Sequence, residues 1–276
     1  MEQNVQSLLD EMKNSGTKNT TDTEKQTSSE VTKCPLCNGT GWELYVGEDG
    51  NEYARECSCG LRQKDISENR LRFATIPETY KEVTLKDIKT KWYTKPDSKD
   101  VIKATGQFVK WYLENLEENI ESGKGIYFWS DAKGSGKTMV AAAIANELIH
   151  NHKRFVKFAT SLDILDEIRA TYNKDSEESE SKLLHDLVTA DFLIIDDFGT
   201  ERATDWAGEK FYQIVNKRYI NKKVTFYTSN YDLNTLKYDD RISSRIRERT
   251  FIVHFPEESV REFIAREDER KVKELI

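Results

Sequence analysis

Residues 125–138 read GIYFWSDAKGSGKT, and their order decides the fold. The apolar and aromatic run GIYFW predicts a buried strand over 125–129, a polar loop with two glycines follows, and a helix begins near Lys137. Strand, glycine-bearing loop and helix in that order make a phosphate cradle. Backbone N–H groups of the loop and helix N-terminus point at the anion, and the helix dipole favours its charge. Gly134 and Gly136 let the backbone approach on either side of Ser135, Lys137 reaches the outer phosphates, and the Thr138 hydroxyl suits magnesium. One position departs from the G-x-x-x-x-G-K-[ST] spacing: Asp131 stands where the first glycine is expected. Because Asp131 lies at the strand-to-loop entrance, the expected consequence is electrostatic, a weaker hold on a nucleotide. Aspartate also tolerates a left-handed backbone better than most residues, if the loop demands one.

Working outward, apolar runs recur at 155–159, 192–196, 224–228 and 250–255, separated by helical patterns at roughly 137–150, 161–173, 181–189, 205–222 and 239–248. This alternation predicts an α/β domain with a parallel sheet flanked by crossover helices. The acidic run at 173–182 reads as a solvated loop. The strand FLIID ends in Asp196, followed by Asp197. In phosphoryl-transfer sites the first such acid holds the magnesium shell and the second orients or deprotonates the attacking water. A solvated turn before Phe198-Gly199 is the plainer alternative. The strand VTFYT delivers Asn230 to its C-terminal end, where ligands bind in open α/β sheets. Asn230 there suits the lytic water or terminal phosphate, although asparagine is also a common turn residue. Arg241, Arg245 and Arg249, four apart, share one helix face. Arg245, then Arg241, are the candidates for an arginine donated into a neighbour's phosphate site. The alternatives are a solvated basic face and contact with DNA phosphates.

The chain of 276 residues can hold one full-sized domain and a small module. Its net charge of -7 argues against coating nucleic acid over its whole surface, so any such contact is regional. The start has no export pattern and no window approaches eighteen apolar residues, so a cytoplasmic location with no membrane contact is expected. All four cysteines fall in one segment, as Cys34-x-x-Cys37 and Cys57-x-Cys59 around a hairpin near Gly47 to Asn51. Four thiolates from two short turns can surround a tetrahedral zinc ion, which supplies the stability so small a module lacks. Redox disulfides or free thiols are the alternatives, and direct DNA contact would use Trp42 and Tyr45 as stacking groups. Val5, Leu8, Leu9 and Met12 make an apolar helical stripe over 3–13, ahead of a polar linker at 14–32. That stripe suits a peptide docking in a partner's groove, or is a frayed terminus. The expected organisation is an N-terminal helix and linker (1–32), a zinc module (33–65), a mostly helical region (66–124), the nucleotide-binding core (125–256) and a C-terminal helix (257–276).

IPETY, GSGKTMVAAAIANEL, FLIIDDFG, WAGEKFYQIVNKRY, TFYTSN and DDRISSRI occur in that order from about Ile76 to Phe255, and as a set they resemble the AAA+ ATPases of the DnaC/DnaI helicase-loader family. The IstB-type transposition helper ATPases share much of the pattern. The resemblance implies ATP and Mg2+ bound by Gly134, Ser135, Gly136, Lys137, Thr138 and Asp196, between adjacent subunits of a self-associating ATPase. It implies an ATP-regulated protein that places a replicative hexameric helicase on single-stranded DNA; the short Asp197 side chain and an arginine supplied across subunits point to an ATPase weak alone and stimulated by assembly, a partner or single-stranded DNA. It also implies that a zinc-binding N-terminal region contacts the helicase. The second reading is a helper that binds duplex DNA and a transposase; a small-molecule phosphotransferase would leave the arginine helix and the cysteines without a role. Asp131 and Asp197, the latter where glutamate is more common, bear on affinity and turnover rather than on the fold.

Overall fold

The computed structural model describes residues 34–47, 49–62, 70, 73–172 and 177–275. The amphipathic stretch expected at 3–13 and the linker at 14–32 lie outside the described residues. Two units divide the chain, Met1–Asn69 and Arg70–Ile276.

In the first unit, β1 (Trp42–Val46) pairs antiparallel with β2 (Glu52–Glu56), Trp42 opposite Glu56 and Val46 opposite Glu52. The Gly47 N–H donates to the Asn51 carbonyl at 2.8 Å and closes the hairpin. Trp42 lies under the Arg62 guanidinium at 4.0 Å, and Tyr45 stacks on Tyr53 at 5.7 Å. Both candidate stacking rings therefore have a partner within their own unit.

In the second unit, residues 75–95 carry three single-turn 3-10 helices, at 78–80, 85–87 and 90–92, where the sequence suggests mostly α-helix. Pro77 holds the chain extended ahead of the first turn. The Thr84–Asp87 capping box closes the second turn, but Ile88 leaves it extended (φ -77°, ψ 106°), so no helix propagates. Regular structure then runs α1 (Pro96–Glu114), α2 (Leu116–Ser122), β3 (Gly125–Trp129), α3 (Lys137–His150), β4 (Val156–Thr160), α4 (Ser161–Thr171), α5 (Glu177–Thr189), β5 (Phe192–Asp196), α6 (Asp205–Ile220), β6 (Val224–Ser229), α7 (Asp240–Arg249), β7 (Thr250–His254) and α8 (Val260–Leu275). Helix α5 starts inside the acidic run that reads as a loop. Glutamate propagates helices well and its charge suits a helix N-terminus, while the Lys210 ammonium reaches Glu180 at 2.7 Å.

The five core strands are all parallel, in the order β4-β5-β6-β3-β7. Their side chains alternate between two apolar layers. Ile126, Phe128, Phe192, Ile194 and Phe226 face α1 and α3; Tyr127, Leu193, Ile195 and Tyr227 face α4, α6 and α7. Helix α3 lies on the same sheet face as α1, under the 78–87 segment whose Tyr80 and Val83 carbonyls accept from Asn146 at 2.8 Å, and its alanines at 141, 142, 143 and 145 are all buried. The strand after the acid pair, β6, is inserted between β5 and β3. Its C-terminal end therefore lies between the phosphate loop and the acids. No helix among the described residues is long and apolar enough to cross a membrane.

Candidate functional site

The loop between β3 and α3 takes the backbone turns its glycines allow, with φ of 74° at Gly134 and 98° at Gly136, both outside the range ordinary side chains favour. Asp131 is absent from the positive-φ residues, so aspartate's tolerance of left-handed backbone is not needed there. Its amide instead donates to the Glu257 carboxylate at 3.1 Å, and the Ala132 amide does so at 2.9 Å. The Asp131 side chain is exposed. An exposed charge contributes about 1 kcal/mol or less, so Asp131→Gly is expected to tighten ATP binding by no more than about fivefold, read by titration with a fluorescent ATP analogue.

Segments distant in sequence hold the loop from behind. The Tyr93 hydroxyl, buried, donates to the Ser135 carbonyl at 2.7 Å, and the Val260 amide donates to the Gly134 carbonyl at 2.9 Å. Lys137 is buried, and its ammonium donates to the Ser130 and Ala132 carbonyls, both at 3.1 Å, and to Ser135 Oγ at 3.2 Å. Burial lowers its pKa, against the pull of Asp197, Glu257 and Asp196.

The two acids differ. Asp196 is buried, accepts from Thr138 Oγ1 at 2.9 and 3.1 Å and from Thr228 Oγ1, and burial raises its pKa to about 6, with the neighbouring Asp197 charge adding to the shift. Those short links set Thr138 and Asp196 side by side, the pairing a magnesium shell requires. Asp197 is exposed and sits in left-handed backbone, φ 52°. Its amide donates to Thr228 Oγ1 at 3.0 Å. Only one carboxylate of the pair thus bears a desolvation cost.

A cleft of about 430 Å³ brings together residues 133–139 of the loop and α3, Asp197, Thr200 and Asn230, with Tyr80 and, from α8, Val260, Arg261 and Ile264. The loop, the second acid and Asn230 therefore share one cavity. Arg241 and Arg245 do not line it. Arg241 forms a two-point contact with Asp239 at 2.9 Å, and Arg245 donates to Asn216 Oδ1 at 2.9 Å while lying over the Tyr212 and Tyr219 rings at 5.2 and 5.5 Å. Both lie on the α6–α7 surface.

Thr228, Glu257, Tyr93 and Arg261 escape sequence reading. Only Thr228 leaves a trace there: the β5–β6 register sets Ile195 opposite Tyr227, which brings the polar end of VTFYT level with Asp196. The others come from segments whose approach depends on the tertiary fold.

In the first unit the four cysteine sulfurs lie within 4.8 Å of one another, with Cys34–Cys57 and Cys37–Cys59 each at 3.7 Å. A tetrahedron with zinc–sulfur bonds of about 2.3 Å has edges of about 3.8 Å, so the donor set fits zinc. Although the Cys59 amide works to lower it, burial and the other three thiols push Cys57 up to about 12. A cation would relieve that cost. One zinc per chain is expected by elemental analysis; Cys57→Ser should lose it and unfold the first unit while the second still melts cooperatively.

The family model described as IstB-like ATP binding protein matches residues 61–259. The replicative helicase loader DnaC of Buchnera aphidicola subsp. Acyrthosiphon pisum is 33% identical over 140 residues, 50% of this chain and 55% of that protein. The phage-like element PBSX protein XkdC of Bacillus subtilis is 27% identical over 250 residues, 88% and 89% of the two chains. A crystal structure of the DnaC helicase loader superposes with a TM-score of 0.53 at 24% identity, over 65% of this chain and 99% of that one, a likeness of fold. The chain spans about half the length of the curated DnaC relatives it matches.

Proposed function

This chain belongs to the IstB-like ATP-binding protein family, and from that premise we propose that it is an ATPase that loads a replicative hexameric helicase onto single-stranded DNA. The observation that carries the ATPase half is the single cleft shared by the phosphate loop, Asp197 and Asn230. In this reading Gly134, Ser135 and Gly136 offer amides to the phosphates, and Lys137 turns its ammonium from the loop carbonyls to their outer oxygens. Bound Mg2+, held by Thr138 and Asp196, would neutralise phosphate charge. Asp197 orients the attacking water and Asn230 holds it against the terminal phosphate. Tyr80, Met139, Val260 and Ile264, which supply apolar lining to the cleft, receive the base.

Arg245, with Arg241 second, completes the site of a neighbouring subunit, which fits their distance from the cleft of their own chain. Removing such an arginine costs about 10³ or more in rate. Arg245→Ala should therefore spare ATP binding and remove most assembly-stimulated hydrolysis, measured as phosphate release at saturating ATP. An unchanged stimulated rate would move the role elsewhere.

The loader half is supported by the DnaC relatives and by a separate cysteine-bearing unit suited to docking a partner. We assign helicase contact to the N-terminal region and self-association to the ATPase domain. The family description also supports a second reading, a transposition helper that binds duplex DNA and a transposase. Capture of a purified replicative helicase by the full chain, lost on deleting residues 1–65, is expected for the loader. Binding confined to duplex DNA and a transposase would favour the helper.

A further inference from the structure

Glu201 is a carboxylate at 6% exposure, and burial raises its pKa. Its donors come from three places: the Ser161 hydroxyl at the start of α4, the Gly199 amide at 3.2 Å, and the Tyr238 hydroxyl from the segment entering α7. A buried acid is expensive, and for stability alone an apolar side chain would serve as well or better. What this one does is join parts of the site.

The first part is the turn that carries Asp197. Ser161 Oγ lies 3.0 Å from the Asp197 carbonyl as well as against Glu201, so one hydroxyl spans the two residues. Thr200 Oγ1 donates to that same carbonyl at 2.7 Å, and the Gly199 amide, one residue earlier, is held by Glu201. Asp197 is in left-handed backbone at φ 52°, which aspartate tolerates better than most side chains, and these bonds hold its turn there. The second part is the arginine helix. Tyr238 stacks on Phe198 at 5.3 Å, beside Asp197, and immediately precedes Asp239, the N-cap of α7 whose carboxylate accepts from the Arg241 amide and holds its guanidinium.

We propose that Glu201, buried, and Tyr238, half-buried, form a link that sets the Asp197 turn and ties it to the start of the arginine helix. Glu201 is then a positioning residue, and a shift of α7 when a neighbouring subunit docks is carried to the acid of the same chain. The link rests on the reading of Asp197 as the acid that orients water. It makes assembly act on the site twice: an arginine arrives from outside while the acid is adjusted from within.

The test uses the full chain under assembly-stimulated conditions, comparing Glu201→Gln, Tyr238→Phe and Asp197→Asn by ATP affinity, by hydrolysis rate at saturating ATP and by melting temperature. Tyr238→Phe keeps the ring on Phe198 and removes only the hydroxyl, so it decides the matter should Glu201→Gln fail to fold. The expected result is a rate about tenfold lower at saturating ATP, as for a small misplacement of a reacting group, with ATP affinity within about twofold. A purely structural role would lower the melting temperature and leave the rate of the folded protein alone. Wild-type rates in Tyr238→Phe beside an inactive Asp197→Asn overturn the link while the acid assignment stands. A fully active Asp197→Asn removes the acid assignment, and the link with it.

Discussion

Lys137→Ala is expected to abolish the rise in melting temperature that ATP gives the wild-type chain. Lys137 is a buried cation at the base of the phosphate loop, already surrounded by the Ser130 and Ala132 carbonyls and Ser135 Oγ. These oxygens hold the ammonium beside the loop amides, where phosphate oxygens would compete for it. Truncating one side of a buried, hydrogen-bonded charge contact costs about 2–5 kcal/mol, which corresponds to at least about 30-fold in affinity. Stabilisation by a ligand follows its concentration relative to its dissociation constant, so at an ATP concentration that shifts wild type by several degrees the variant should not move. The measurement is thermal melting with and without ATP and Mg2+. An equal ATP-induced shift in both proteins would mean that the nucleotide binds elsewhere.

The second large effect concerns stability. Arg218 is 1% exposed, and its guanidinium gives five hydrogen bonds: Nε to Thr225 Oγ1 at 2.9 Å, Nη1 to the Leu187, Val188 and Ala190 carbonyls at 2.8, 3.1 and 3.0 Å, and Nη2 to the Val224 carbonyl at 2.6 Å. It satisfies the carbonyls that end α5 and fixes the start of β6, the strand that Asn230 immediately follows. Each buried acceptor left without a donor costs about 1–3 kcal/mol. Arg218→Ala should therefore lose about 4 kcal/mol or more in urea unfolding, and Arg218→Lys should recover only part of it, because an ammonium cannot reproduce the planar fork.

Arg218 also marks how far the sequence could be read. Phe211, Ile214, Val215 and Arg218 fall at i, i+3, i+4 and i+7, so the arginine sits on the buried stripe of α6, yet helical spacing alone does not reveal what it bonds. The core strands were legible because both sheet faces are covered, which turns each strand into an apolar run bounded by polar residues. The phosphate loop and the acids were legible because their residues are adjacent in the chain. What could not be read was contact across long separations: Tyr93 on Ser135, Glu257 on the Asp131 amide and Tyr238 on Glu201. The 75–95 segment misled because its spacing suits a helix while Pro77 and the extended backbone at Ile88 interrupt it. At Asp131 the backbone removes the need for glycine, and what remains is the effect of one exposed charge.

In the function proposed above, ATP bound in this cleft drives the placing of a hexameric helicase on DNA. The most direct test is unwinding by a purified replicative helicase of an oligonucleotide annealed to a circular single strand, which offers no end to thread. The wild-type chain with ATP should greatly accelerate strand release, and Lys137→Ala should not. Equal acceleration by the Lys137→Ala chain, or no effect of the wild-type chain on a helicase that it binds, would contradict it.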